Sequence, residues 1–326
     1  MTTTIFSTAE ERIADQVARA AQEGLSARPR HLPPWLFYDE AGSRLFEQIT
    51  RLPEYYLTRT ERAILNAHAG QIIALAAAGQ PLRIAEIGAG SADKTRPLLA
   101  AAVHLQGAVI YEPVDVSASA LAVAQQRIEE EMAGVTVAPH TEDYTARLEL
   151  DPALPGERRL VLYIGSSIGN FEPDDAARLL AKVRAALAPG DTLLLGVDMV
   201  KEASALLAAY DDAAGVTAAF NRNILVRLNR ELGADFRPQS FAHRALWNQA
   251  ASRMEMHLES LDPQTVHLRA LDQRLEFTAG ERIHTENSYK YRPGQAEALL
   301  AHAGFCTVAA WTDSAATFTV LLGRTA

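Results

Sequence analysis

The chain has 326 residues, 48% hydrophobic and 22% charged, so it can bury a large core in one large domain or two medium ones. A formal net charge of −9 and a pI near 5.5 argue against nucleic acid or an acidic membrane as the main partner. The single cysteine excludes an internal disulfide and fits a reducing compartment. Cys306 lies in the apolar run AGFCTVAAW and is expected to be a buried structural residue rather than a nucleophile. The N-terminus MTTTIFSTAEERIADQ shows no signal peptide, and no stretch reads as a transmembrane helix. A cytoplasmic location is the expectation.

Residues 8–26 have a helical rhythm. The following segment, to about residue 60, mixes prolines with aromatics and predicts loops and short helices rather than sheet. Residues 60–79 read as an amphipathic helix. From residue 82 short apolar runs (LRIAEIG, AVIYEPVDV, VTVAP, RLVLYIG, DTLLLGV) alternate with helical segments (KTRPLLAAAVH, ASALAVAQQRIEEEM, DDAARLLAKVRAALA). That alternation predicts a parallel sheet covered on both faces. After Val200 it stops: about two helices are followed by candidate antiparallel strands MEMHLES, TVHLRALD and QRLEFTAGE, then a helix and two closing strands. The expected fold is α/β, a Rossmann-like core interrupted by an insertion at about 201–290 that packs with the N-terminal segment.

The sharpest local motif is EIGAGSADK, Glu86 to Lys94, between a candidate strand and a candidate helix. Its glycines allow a tight turn and a close backbone approach to a ligand, although two glycines also suit an ordinary strand–helix turn. A dinucleotide fingerprint needs a small residue where Asp93 stands, and a phosphate-binding P-loop needs a different glycine spacing. An acidic residue two places before Gly88 is the pattern of S-adenosylmethionine methyltransferases. Asp115 follows the next candidate strand, where a carboxylate can accept ribose hydroxyls. Asp143 and Tyr144 follow the third, where adenine would lie. Three such positions at successive strand ends are far more specific than any one alone.

Several segments together resemble the ergothioneine-pathway histidine Nα-methyltransferases: LPPWLFYDEAGSRLFEQITRLPEYYLTRTE, EIGAGSADKT, YIGSSIGNF, AYDDAAGVTAAFNRN and HTENSYKYRP. The resemblance implies a class I methyltransferase core at 61–200 and 291–326. An α+β substrate-binding domain at 8–60 and 201–290 would close over the amino acid. It assigns Gly88, Lys94, Asp115, Asp143 and Tyr144 to S-adenosylmethionine. Tyr55, Asn170 and Tyr210 would hold the amino-acid end of histidine, with Gly165 and Tyr38 near the amine. Glu286 and Ser288 would read the imidazole beside an apolar wall at Met256. The implied reaction is trimethylation of the α-amine through mono- and dimethyl intermediates, in a monomer.

These residue types suit that chemistry. Tyrosine hydroxyls and an asparagine amide can donate to a carboxylate without adding positive charge beside a sulfonium. Glu286 can accept an imidazole N–H, while Ser288 can serve the other nitrogen in either sense. Proton removal from the amine falls to Tyr38 or to water, since an ordinary tyrosine, with a pKa of about 10, is a poor base at neutral pH. The nine histidines form no zinc-type array, and no metal is expected. Two other readings are a related methyltransferase acting on another amine, such as a tryptophan derivative, and, of a different class, a non-catalytic module that binds the cofactor or a histidine-like ligand. An NAD-dependent dehydrogenase is disfavoured by Asp93.

Overall fold

A computed structural model describes residues 9–90, 92–145 and 148–326, with side chains of the first helix described from residue 14. Residue 8, where the first helical reading begins, and Ser91 of the glycine loop lie outside the described residues. The chain divides into two compact units: Tyr56–Lys201 with Ser288–Ala326, and the chain up to Tyr55 with Glu202–Asn287.

The chain opens with α1 (Ala9–Ser26), the two-residue strand β1 (Arg30–His31) and α2 (Glu40–Ile49). Asp39 caps α2 by accepting the Gly42 N–H at 2.7 Å, which satisfies an amide the helix itself cannot. There follow α3 (Tyr56–Ala77), β2 (Leu82–Ile87), α4 (Arg96–Gln106), β3 (Val109–Asp115) and α5 (Ala118–Glu131). Next come β4 (Val135–Val137), β5 (His140–Thr141), β6 (Arg158–Tyr163), α6 (Pro173–Ala185) and β7 (Thr192–Asp198). The insertion supplies α7 (Ala203–Tyr210), α8 (Val216–Leu232), β8 (Phe241–Asn248), β9 (Arg253–Ser260), β10 (Gln264–Leu268), β11 (Gln273–Phe277) and β12 (Arg282–Tyr289). The chain closes with α9 (Gln295–His302), β13 (Phe305–Thr312) and β14 (Phe318–Thr325).

In the unit holding Tyr56–Lys201, the sheet order is β13-β14-β7-β6-β2-β3-β4, with β5 beside β3. The pairings among β2, β3, β4, β5, β6 and β7 are parallel, whereas β14 is antiparallel to both β7 and β13. Every residue of β2 and β7 is buried, as expected of a sheet covered on both faces. On one face Leu179, Leu180 and Val183 of α6 and Leu300 of α9 join a core with Val161, Leu193, Leu195 and Leu321. Each such burial is worth roughly 1.5–3 kcal/mol. Strand order runs outward in both directions from β2 and β6. The crevice beyond the carboxyl ends of these strands is therefore the switch point at which open α/β sheets bind ligands.

The other unit has a four-stranded sheet, β1-β12-β9-β8, and a separate antiparallel hairpin of β10 and β11. Helices α7 and α8 lie against β8 and β9. In β9 every second residue is buried, namely Met254, Met256, Leu258 and Ser260, which is the period of a strand with one covered face. The three strands expected from the sequence form, but they are split between the sheet and the hairpin. β8 and β12 are additions, because their mixed polar sequences lack an apolar alternation strong enough to mark them. β1 corrects the expectation of no sheet before residue 60: it pairs in parallel with β12 over two residues, too few to show a period.

Cys306 also departs from expectation, being exposed. It lies on the outermost strand, β13, where Phe305 and Trp311 turn inward and the residues between them are exposed or half-covered. An apolar run on an edge strand does not bury every member.

Candidate active site

The residues after four parallel strands converge in type and place. Gly88 follows β2 in a left-handed conformation, φ +69°, and a side chain there would contact the Tyr144 hydroxyl 3.6 Å away. Asp115 ends β3 and holds the glycine loop, accepting the Gly90 N–H at 3.0 Å on Oδ2 and the Ser117 N–H at 2.9 Å on Oδ1. Burial raises the Asp115 carboxyl above its usual range against the lowering effect of those backbone bonds. Asp143, after β5, accepts the Thr145 N–H at 2.9 Å and the Thr145 hydroxyl at 2.5 Å. Tyr144 packs edge-on to Tyr163, ring centroids 6.1 Å apart, and burial pushes its hydroxyl up to about 12.

Glu86, the acidic residue before the loop, faces inward. It is 2% exposed and accepts hydrogen bonds from the Thr95 and Tyr111 hydroxyls, tying the end of β2 to the start of α4 and to β3. Burial pushes its pKa up to about 7, with those two hydroxyls and Lys94 pulling the other way. Its role is to brace the loop.

Lys94 is held by Glu61 of α3. Its ammonium lies 2.9 Å from Glu61 Oε2, and the same buried carboxylate accepts the Gly165 N–H at 2.7 and 2.9 Å. Gly165, after β6, has φ +84°, and a Cβ there would stand 2.6 Å from Lys94 Nζ. The left-handed φ favours glycine, and a Cβ would displace the end of the Lys94 side chain. Asn170 ends the short 3-10 turn Ser167–Asn170, half-buried. Ser288 is buried and accepts a hydrogen bond from Lys290 at 2.9 Å.

In the other unit Tyr38, Phe46, Tyr55 and Phe220 form a chain of aromatic contacts, with centroids 5.6 Å apart for Tyr38–Phe46 and 6.2 Å for Phe46–Tyr55. Tyr210 is buried, and its carbonyl lies 2.8 Å from His243 Nε2. Asn221 contacts His243 Nδ1 at 2.8 Å and accepts the Thr285 hydroxyl, which also reaches the Met256 carbonyl at 3.0 Å. This buried network fixes the backbones of Tyr210, Met256 and β12 around α8. Met256 is 2% exposed and Glu286 is 8% exposed.

Several residues of these arrangements have no motif of their own. Glu61, Asn221 and Lys290 lie inside segments that carry the family resemblance, but nothing local marks their contacts. Glu112, His140 and Asp151 also approach one another closely enough to suggest a cation site. Arg83 at 2.7 Å and Arg159 at 3.4 Å from the Glu112 carboxylate oppose a cation, so this is an ion-pair network.

The glycine loop, the carboxylate at the end of β3 and the parallel sheet with one antiparallel strand, β14, between β7 and β13 define a class I S-adenosylmethionine-dependent methyltransferase. Among the described residues the donor set fits that cofactor: it offers carboxylate, backbone and aromatic groups and no phosphate cradle. The family model for histidine-specific, S-adenosylmethionine-dependent methyltransferases matches residues 17–325, and the chain belongs to that family. It is 45% identical over 310 residues to a histidine N-alpha-methyltransferase of Mycolicibacterium smegmatis, covering 95% of each chain. It is 31% identical over 306 residues to ergothioneine biosynthesis protein 1 of Neurospora crassa, covering 87% of this chain and 32% of that longer protein. It is 28% identical over 318 residues to a 4-dimethylallyltryptophan N-methyltransferase of Penicillium roqueforti, covering 94% of this chain and 92% of that one. Among the described residues no helix is long and apolar enough to cross a membrane.

Proposed function

We propose that the chain trimethylates the α-amino nitrogen of L-histidine, through mono- and dimethylhistidine, as the first step of ergothioneine synthesis. The observation that carries the acceptor assignment is the buried pair Glu286 and Ser288, two residues apart on β12 and therefore on one face of the strand. A carboxylate and a hydroxyl on one face suit the two nitrogens of an imidazole and suit a prenylated indole poorly. Glu202–Asn287 and the chain up to Tyr55 serve in this reading as the substrate-binding part, and a cytoplasmic monomer is the working form.

Gly88, Lys94, Asp115, Asp143 and Tyr144 would hold S-adenosylmethionine, which supplies an electrophilic methyl group. Tyr55, Asn170 and Tyr210 would donate to the histidine carboxylate, and Met256 would wall the ring. In each round the residues around the amine would present its neutral lone pair to that methyl group. Before each transfer the ammonium would lose one proton, either to water or by way of Tyr38, so that three protons leave over the three rounds. The residues' contributions are alignment and exclusion of water rather than covalent catalysis.

Incubation with S-adenosylmethionine and each amino acid in turn, followed by mass spectrometry, tests this reading. Histidine alone should gain three methyl groups, and failure to form trimethylhistidine overturns the assignment. Glu286→Ala should lower kcat/KM for histidine about 10- to 100-fold, since a charged hydrogen-bond partner is lost. Unchanged selectivity in that variant would remove Glu286 from the imidazole site.

A further inference from the structure

Beneath Ser288 lies a buried cluster of charges. Lys290 is 2% exposed, with its ammonium 2.9 Å from Asp198 Oδ2 and 2.9 Å from Ser288 Oγ. Asp198, at the end of β7, is also fully buried and accepts the Tyr56 hydroxyl at 2.7 Å. Lys201 pairs with the same carboxylate and donates to the Tyr56 hydroxyl at 2.6 Å. Two ammonium groups thus share one carboxylate.

An ammonium has three hydrogens and no lone pair to offer. In the Lys290–Ser288 contact the serine oxygen is therefore the acceptor, and its own hydrogen must point elsewhere. A cation on that oxygen also strengthens its O–H as a donor and weakens it as an acceptor. The oxygen's second lone pair is the poorer contact beside a cation, and a hydroxyl biased toward donation distinguishes the forms of an imidazole. The neutral ring has one N–H and one lone-pair nitrogen, whereas the protonated ring has two N–H groups. Glu286, a carboxylate, can accept only from an N–H.

We propose that Lys290 is a positioning residue which, through Ser288, makes the site select the neutral imidazole in one tautomer, its N–H toward Glu286 and its lone pair toward Ser288. This rests on the reading of Glu286 and Ser288 as the imidazole contacts. It gives Ser288 a direction which residue types alone leave open. It also assigns a specificity role to a lysine outside the catalytic and cofactor groups.

Calorimetric titration of histidine into the S-adenosylhomocysteine-loaded enzyme tests it, with Ser288→Ala, Lys290→Met and the double variant. Asp198 keeps Lys201 and Tyr56 as partners in Lys290→Met. Each single variant should weaken histidine binding about tenfold, the scale of one lost hydrogen bond. The double variant should be no weaker than Ser288→Ala, and S-adenosylhomocysteine affinity should not change. If the loss from Lys290→Met persists in full on the Ser288→Ala background, Lys290 does not act through Ser288 and the proposal is overturned. If Ser288→Ala alone leaves histidine affinity unchanged, the imidazole reading of Ser288 fails first. Nitrogen-15 spectra of ring-labelled histidine bound to the unaltered enzyme give a measurement independent of any variant's folding. At about pH 6, close to the ordinary histidine pKa of about 6.5, bound histidine should show one protonated and one lone-pair nitrogen. A doubly protonated bound ring overturns the proposal.

Discussion

Glu86 shows how one buried carboxyl couples the glycine loop to pH. Its proton leaves near 4.5 in an unfolded chain and is held to about 7 in the fold, chiefly because burial disfavours the charge. Between these values the folded state binds more protons than the unfolded one, so this group makes stability fall as pH rises through that window. Glu86→Gln keeps a hydrogen-bonding oxygen and removes the titration. Relative to the unaltered protein, the variant should gain stability steadily from pH 4.5 to 7. Thermal melts of both proteins across that range check this, and a pH-independent difference would refute the burial argument. The sequence marked Glu86 as the acidic residue of a cofactor motif. That its carboxylate turns inward to Thr95 and Tyr111 was not visible, because both partners are ordinary residues 9 and 25 positions away.

At the scale of elements, the turn after β6 depends on a single residue. Gly165 combines a left-handed φ of +84° with a 2.6 Å approach between its missing Cβ and Lys94 Nζ. Gly165→Ala should cost about 1–2 kcal/mol from backbone strain alone. It should also push Lys94 off Glu61 and weaken S-adenosylhomocysteine binding. Denaturant melts and a ligand titration separate the two effects. Ordinary stability with unchanged ligand affinity would show that the close approach is unimportant. The parallel strands were legible because a sheet covered on both faces leaves continuous apolar runs such as LVLYI and LLLGV. β8 and β12 were not, since Arg, His, Asn and Glu interrupt their apolar residues and only pairing with β9 and its neighbours reveals them.

For the whole molecule, ligand linkage is the simplest check that the crevice at the switch point is the cofactor site. S-adenosylhomocysteine at 100 times its Kd should add about 2.7 kcal/mol to stability, provided it binds the folded state alone. That corresponds to several degrees in Tm, and replacing Asp115 with Ala should remove most of the shift. A shift that survives in the Asp115→Ala variant would place the ligand elsewhere.

The alternation of apolar runs and helices, the glycine loop and the acidic positions after successive strands were enough to predict an α/β fold and S-adenosylmethionine as its cofactor. These features are local in sequence, because strand burial, tight turns and strand-end placement each leave a mark within a few residues. The family segments carried the histidine assignment in the same way. Long-range contacts were decided only in the folded chain: Glu61 holding both Lys94 and Gly165, Asn221 tying Thr285 to His243, and Asp198 gathering Tyr56, Lys201 and Lys290. Hydrogen-bond direction belongs to this second group. A serine can donate or accept, and the buried lysine beside Ser288, which donates to its oxygen, biases the hydroxyl toward donating.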